Sequence, residues 1–565
     1  MRYLVAAVIA AVTVSASNLS PRGGRPATDK VYDRRYCYGL YPQGTPCPIT
    51  AGTFDQLIDH DDPSLGTFKQ RYWANPEFYA GPGAPIVLSG PGEAAADPYV
   101  WYTTNYTLDG VFAQEIRGAS IVLEHRYWGE SSPFDKMTTK NMRYLTLDNA
   151  MRDTIYFARN VKLPFDPAQS SHPDRAPWVF TGGSYSGALA AWIEKLYPGT
   201  FWAYHAVSGV VQPIADYWQY YVPIEAAMPR NCSRDMKLAI RHIDRRLGSS
   251  DAAGKEALKA KFGLAGLEDD DFGWALTDGL QSWQGTQFNT GPGNIPLYEM
   301  CDYIEGVGGG GAANATTTRV PDEHGVGACA AAAGLARWFR EVRVPGNCAR
   351  NWGDYWKGDN ATVACWDTHN STSPYFTDRS LRNKWNLQWQ WMSCNEPNVH
   401  KSHTHTTDQN LYCSFQQWQG SYPGDTGLVS RYATVQSLRD QCERFFPDED
   451  GYSYGLKRGR TTDAIVELTG GWGHVNSTRL VQVNGEYDPW LPETVSSPFR
   501  PGGPLQSTPE VPTFVVPKAA HCPDLVMSNT RVNDALHDIT QEVIAIIVAW
   551  VGEFYEEKGI PQPGA

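Results

Sequence analysis

Residues 178–193 constrain the fold of this chain more than any other stretch. Trp178-Val179-Phe180-Thr181 is a short apolar run that predicts a buried strand, and Ala188-Leu189-Ala190-Ala191-Trp192-Ile193 predicts the helix that follows. Between them lies Gly182-Gly183-Ser184-Tyr185-Ser186-Gly187. A serine on a sharp strand-to-helix turn is a nucleophile elbow: the turn lifts the hydroxyl clear of the sheet, and glycines give the crowded backbone room. One residue departs from the Gly-x-Ser-x-Gly form, because Ser186 stands two positions after Ser184. Serine is small enough to be tolerated there. Glycine–serine turns are common in loops, so this motif alone does not decide the fold.

The far end of the chain supplies the rest. Leu480-Val481-Gln482-Val483 predicts a strand, followed by Asn484-Gly485-Glu486-Tyr487-Asp488-Pro489-Trp490. Thr513-Phe514-Val515-Val516 predicts another, followed by Ala519-Ala520-His521-Cys522. An acid after one strand and a histidine after the next give the chain order Ser, Asp, His. That is the order of α/β-hydrolases and not of the chymotrypsin or subtilisin types. In that chemistry Ser184 attacks a carbonyl, His521 takes and returns its proton, and Asp488 holds the imidazole in the useful tautomer. A turn aspartate or a loop histidine alone would mean little; in this order, after strands, they favour catalysis.

Two earlier runs, Pro85-Ile86-Val87-Leu88-Ser89 and Ser120-Ile121-Val122-Leu123-Glu124, together with one near residues 203–207, give the alternation of a parallel sheet. The pattern changes between about residues 223 and 451. Residues 237–247 and 252–262 predict helices, and the glycine-rich residues 306–311 lack the Gly-Lys-Ser/Thr ending of a phosphate loop, which makes them a surface connection. An amphipathic helix over roughly residues 530–554 closes the chain, with Ala535, Leu536, Ile539, Val543, Ile546, Ile547 and Trp550 on its inner side. A chain of 565 residues exceeds one hydrophobic core. The expected architecture is therefore α/β: an α/β-hydrolase core in residues 54–222 and 452–565, split by a mainly helical cap in residues 223–451.

The N-terminus reads as a signal peptide over residues 1–16, with Arg2 before an apolar stretch too short to span a bilayer and small residues preceding a cut after Ala16. Residues 17–53 form an N-terminal segment and candidate pro-region carrying the dibasic Arg34-Arg35. Sequons at Asn105, Asn231, Asn314, Asn360, Asn370 and Asn476 suit a glycosylated, secreted protein or one in an acidic vacuolar or lysosomal-type compartment. Of eleven cysteines, Cys37 and Cys47 can close a local loop and seven crowd residues 301–442, so a stapled cap with an odd thiol is expected. A net charge of −13 argues against nucleic acid and anionic membranes as partners. His400, His403 and His405 lie in a Lys/Thr/Ser-rich loop without helix spacing, and no CxxC pair occurs, so neither metal nor cofactor is expected.

Several separate segments carry a family resemblance. Phe54-Asp55-Gln56-Leu57-Ile58-Asp59-His60, Glu124-His125-Arg126-Tyr127-Trp128-Gly129-Glu130-Ser131, Tyr144-Leu145-Thr146, Trp389-Gln390-Trp391-Met392-Ser393-Cys394-Asn395-Glu396 and the Asp488 segment resemble the S28 serine peptidases. This is the prolyl carboxypeptidase and dipeptidyl peptidase II family, and the chain is especially similar to its secreted fungal prolyl endopeptidases. The resemblance implies a helical cap over the site, cleavage on the carboxyl side of proline, activity at acid pH, and Ser184, Asp488 and His521 as the triad. Many relatives carry glycine at Ser186 and a second histidine at Cys522; the latter departure leaves His521 as the one histidine of its segment.

Oxyanion stabilisation needs preorganised donors. The backbone N–H of Tyr185 is the first candidate, and Gly92 or Glu93 in the loop Gly90-Pro91-Gly92-Glu93 the second, since Pro91 has no N–H. A rigid aromatic slot suits proline, whose ring is compact and fixed in φ. Trp490, two residues past Asp488, is the first candidate for that slot, and Trp391 and Met392 are the second. Glu93, Glu130 and Glu396 are candidate anchors for a substrate amine. Proline-containing peptides are the expected partners, cut internally, with a dipeptidyl peptidase or prolyl carboxypeptidase of the same family, or an esterase sharing the triad, as alternatives.

Overall fold

The computed structural model describes residues 47–90, 92–307, 322, 324–383, 386–396, 427–474 and 476–564. The expected signal peptide, Arg34-Arg35, Cys37, Pro91, most of the glycine-rich loop, Asn314, His400, His403, His405 and Cys413 lie outside them. Eight strands form one sheet: β1 (Thr50–Leu57), β2 (Thr67–Asn75), β3 (Ile86–Ser89), β4 (Ala119–Leu123), β5 (Trp178–Gly183), β6 (Ala203–Val207), β7 (Leu480–Gly485) and β8 (Thr513–Val516). Their order is β1-β2-β4-β3-β5-β6-β7-β8. β1 and β2 enter as an antiparallel hairpin on β4; every later pairing is parallel. β3, β4 and β6 are buried at every position, as unbroken apolar runs must be when both faces of a parallel sheet are covered. The outer strand β1 alternates half-buried and exposed residues instead. In the sequence, residues 54–57 of this hairpin are legible only as a family motif.

One face of the sheet is covered by the helix Leu108–Glu115 and by the C-terminal helix, where Leu536, Val543, Ile547 and Trp550 join Val87, Val179, Val481 and Val483 in a shared cluster. That helix, Asp534–Lys558, is long and apolar enough to cross a membrane, yet these side chains pack on the sheet. Ala535, expected on its inner side, is exposed, and Ile539 and Ile546 are half-buried. Helix α1 (Tyr185–Leu196) covers the other face, and its Leu189 and Trp192 belong to a cluster that runs on through Trp338, Phe339 and Trp391. The inserted segment therefore shares one apolar core with the sheet. Between β6 and β7 the described residues form helices and turns and no strand. The disulfides Cys232–Cys301, Cys348–Cys365 and Cys394–Cys442 staple that insertion. Cys47 is also disulfide-bonded, while exposed Cys329 and buried Cys522 are free thiols.

Candidate active site

Ser184 joins β5 to α1 with φ 57° and ψ −124°, a backbone conformation that costs about 1–3 kcal/mol for a residue with a side chain. Close packing enforces it. A Cβ on Gly182 would lie 2.5 Å from the Ser186 carbonyl oxygen, and one on Gly187 would lie 2.7 Å from that of Val207. The Ser184 N–H donates to Val207 O at 2.9 Å. Gly183 has no room either, since Leu525 and Cys522 would sit 2.8 and 3.0 Å from an added Cβ. The glycines thus let α1 lie on β6 and let the His521 loop pack on Gly183, beside the serine. Ser186 is buried between the backbones of Gly182 and Gly90, so its small side chain is accommodated. With Gly90, Gly92, Glu124, His125 and Asp153 it lines a cavity of about 20 Å³, room for a single water.

Asp488 is fully buried and His521 is 2% exposed. His521 Nδ1 lies 2.9 and 3.0 Å from the two Asp488 carboxylate oxygens. A carboxylate only accepts, so the proton sits on Nδ1 and the Nε2 lone pair is left for proton transfer. Nε2 is buried without a hydrogen-bond partner, so the bond to Ser184 Oγ is not closed here. Burial by itself lowers the His521 pKa, but the Asp488 carboxylate and the Cys522 thiol beside it carry the value well above that of a free histidine. The inserted segment braces both loops. Trp283 Nε1 donates to Tyr487 O at 2.8 Å, and Gln287 Nε2 donates to His521 O at 2.9 Å.

The two oxyanion candidates occupy neighbouring turns. Tyr185 is the first residue of α1, and Gly92, with φ +82°, is buried after β3. The Tyr185 hydroxyl lies 2.9 Å from His125 Nε2, while His125 Nδ1 lies 2.9 Å from Arg126 O. A carbonyl only accepts, so His125 carries its proton on Nδ1 and accepts from Tyr185 at Nε2. Burial pushes His125 down to about 4, which keeps it neutral and able to accept. Glu93 is half-buried; burial raises its pKa, and the nearby His521 partly offsets the rise.

Trp490 stacks on Tyr217 with centroids 5.6 Å apart and planes at 17°, meets Tyr220 edge-on at 5.1 Å, and lies 6.3 Å from the His521 ring. Its Nε1 is buried without a partner. Four further candidates are placed elsewhere. Trp391 and Met392 are core residues, 1% and 0% exposed, with Trp391 donating to Leu145 O and packing on Phe446. Glu396 is wholly enclosed, and burial pushes its pKa up to about 8, so no amine reaches it from solvent. Glu130 is exposed beside Arg71. The residue of that cap helix that does approach the elbow is Trp389, whose half-buried ring meets Tyr185 at 5.6 Å. Of the sequons, Asn105, Asn360, Asn370 and Asn476 are exposed, whereas Asn231 is half-buried in the helix Arg230–Leu247.

Beneath the elbow lies a polar network that no motif in the sequence announces. Thr181 Oγ1 donates to Asp109 Oδ1 at 2.9 Å and lies 3.0 Å from His205 Nδ1; His205 Nε2 lies 3.0 Å from Asp524 Oδ2. All four side chains are buried, and burial pushes Asp109 up to about 6. The network ties β5, β6 and the helix Leu108–Glu115 to the segment just after His521.

Similarity to known proteins gives the family. The profile described as Serine carboxypeptidase S28 matches residues 56–324. The serine protease vicPb of Bipolaris victoriae is 37% identical over 92% of this chain and 92% of its own length. A probable extracellular serine carboxypeptidase of Arthroderma benhamiae is 32% identical over 42% of this chain and 33% of its own. The lysosomal Pro-X carboxypeptidase of Pongo abelii is 30% identical over 30% of this chain and 32% of its own. With an α/β-hydrolase sheet, a serine elbow and a buried Asp–His pair, the chain belongs to the S28 family of serine-type peptidases.

Proposed function

We propose that this peptidase cleaves peptides on the carboxyl side of proline through an acyl-enzyme, with Ser184 as nucleophile, His521 as base and Asp488 as its orienting acid. The observation that carries the reading is the enclosed Asp488–His521 pair, whose unpartnered Nε2 belongs to the loop packed on Gly183, next to Ser184. Ser184 Oγ attacks the scissile carbonyl as its proton passes to Nε2. The tetrahedral oxyanion is held by the N–H groups of Tyr185 and Gly92. Collapse expels the amine, which takes the proton back from Nε2; water then repeats the cycle on the ester and frees Ser184.

Proline selection rests on Trp490, backed by Tyr217 and Tyr220, as a rigid aromatic wall beside His521. A relative named as a Pro-X carboxypeptidase supports that choice. Internal cleavage comes from the resemblance to the fungal enzymes. A specific observation favours a second reading: the Glu93 carboxyl lies close enough to His521 to feel its charge, where it would also meet the free amine of a short peptide, as a dipeptidyl peptidase requires. Four exposed sequons and the relatives named extracellular and lysosomal support secretion or an acidic compartment. The working pH is where resemblance and site pull apart, because a raised His521 pKa opposes turnover in acid.

Matched Ala-Pro chromogenic peptides, one blocked and one free at the N-terminus, decide among these, with Ser184→Ala as control. Cleavage of the blocked peptide, lost in the variant, supports the endopeptidase. Cleavage of the free peptide alone favours the dipeptidyl peptidase. If neither is cut, an esterase or a strict carboxypeptidase becomes the better reading.

A further inference from the structure

Asn386, contributed by the inserted segment, hydrogen-bonds to two core residues near the proposed oxyanion donors, Glu93 and Trp128. It stands at the N-terminus of α2 (Leu387–Asn395) with φ 54° and ψ 57°, the left-handed region that asparagine tolerates better than most residues with a side chain. Asparagine at this position ordinarily bonds the free N–H groups of its own helix. Here it makes no such bond. Its carboxamide is turned outward instead. Nδ2 donates to Glu93 O at 3.1 Å, and Oδ1 accepts from Trp128 Nε1 at 2.9 Å. Both ends of the amide are thereby engaged in contacts to the core.

Each partner leads to an oxyanion candidate. The Glu93 carbonyl directly follows Gly92. Trp128 packs edge-on against His125 at 4.6 Å, and His125 accepts from the Tyr185 hydroxyl. Two further contacts fix α2 on the core beside them: Gln388 Nε2 donates to Tyr127 O at 2.9 Å, and the Trp389 ring meets Tyr185. We infer that Asn386 is a positioning residue that holds the Gly92–Glu93 turn and the Tyr185 turn at the separation a tetrahedral oxyanion needs. On this view the cap, besides covering the cleft, sets the geometry of the core's transition-state donors. The inference rests on the proposed oxyanion role of Tyr185 and Gly92.

Asn386→Gly tests it, because glycine accepts the left-handed backbone and removes the side chain that carries the carboxamide. Asn386→Asp is the second variant: its carboxylate still accepts from Trp128 but cannot donate to Glu93 O. Measured with an Ala-Pro chromogenic peptide, both variants should lose about tenfold or more in kcat with KM within about twofold, the signature of an interaction made in the transition state alone. A peptide aldehyde, which forms a tetrahedral adduct on the serine, should lose affinity by the same factor. Relative to the parent, Asn386→Asp should regain activity as pH falls through about 4, the ordinary carboxyl range, where the new group can again donate. Unchanged kcat and aldehyde affinity in a folded Asn386→Gly protein, or a rise in KM alone, would overturn the inference. Residual activity of Ser184→Ala would instead sink the catalytic reading on which it rests, so the two failures are distinguishable.

Discussion

Asp488→Asn is the most searching single perturbation of the proposed triad, because it keeps the volume and removes the charge. Asp488 Oδ1 accepts from both Trp490 N–H and His521 Nδ1, each at 2.9 Å, and Oδ2 accepts from Nδ1 at 3.0 Å. The amide oxygen must take the Oδ1 position to keep the Trp490 bond. Its NH₂ then faces Nδ1, where two donors meet. The imidazole relieves this by moving its proton to Nε2, the tautomer that cannot accept from Ser184. The same change in a Ser-His-Asp enzyme costs about 10⁴ in kcat, and four decades correspond to about 5 kcal/mol of transition-state stabilisation. Steady-state turnover of an Ala-Pro chromogenic peptide reads it directly, with fluorophosphonate labelling of Ser184 slowed in parallel. Stability supplies an independent sign. Asp488 raises the His521 pKa, so the pair stabilises the fold fully below the unfolded histidine value near 6.5 and loses that contribution as pH rises through the higher folded value. The melting-temperature deficit of Asp488→Asn should therefore be largest below about pH 6.5 and shrink in base. A variant keeping more than about a tenth of parental kcat, against the 10⁴ loss expected, would refute the assignment.

Trp490→Ala should cut kcat/KM for proline peptides by about 10- to 100-fold while leaving the melting temperature within a few degrees, since the ring is half-buried; equal losses on alanine and proline substrates would remove it from the specificity pocket. The pH profile of kcat/KM for the parent enzyme should fall on the acid side through the raised His521 pKa, and a flat profile down to about pH 4 would contradict the direction drawn from the Asp488 contact. His205→Ala leaves Asp524 buried without its histidine partner and removes the contact to Thr181, and should cost about 3–5 kcal/mol in denaturant unfolding. Removing the Cys394–Cys442 bridge by Cys394→Ser with Cys442→Ser frees a loop of 48 residues and should cost about 4 kcal/mol, with turnover declining as the helix bearing Asn386 and Trp389 loosens.

What the sequence makes legible is local. Strands β6 and β8 fall on the predicted residues, and the glycines of the elbow declare their steric purpose because three of them surround one serine. The triad order is legible because strand runs precede the acid and the base. Less of the pocket is. Trp389, Trp391 and Met392 share one helix, and successive residues there point about 100° apart, so neighbours divide between cleft and core with nothing in their chemistry to tell which is which. Glu396 fails as an anchor for the same reason, since its enclosure depends on where a helix docks. The bonds from Trp283, Gln287 and Asn386 to the core join residues far apart in the chain and leave no periodic trace. The Thr181–His205–Asp524–Asp109 network assembles from four segments that look, one by one, like ordinary strand and loop positions.

The insertion between β6 and β7 has a consequence for the order of events in folding. Tyr204 pairs with Leu480, and the stretch between them must be gathered in before the sheet can close. Pairings at such separation are slow, and until then β6 is an open edge able to pair with another chain. Disulfides at Cys232–Cys301, Cys348–Cys365 and Cys394–Cys442 draw in that stretch while β7 and β8 are still to be added. Asp488 and His521 lie beyond it, so a nascent chain carries the proposed nucleophile for much of its synthesis without the groups proposed to activate it. Cap substitutions that delay closure should therefore appear first as aggregation during biosynthesis, in molecules whose finished form would be fully competent.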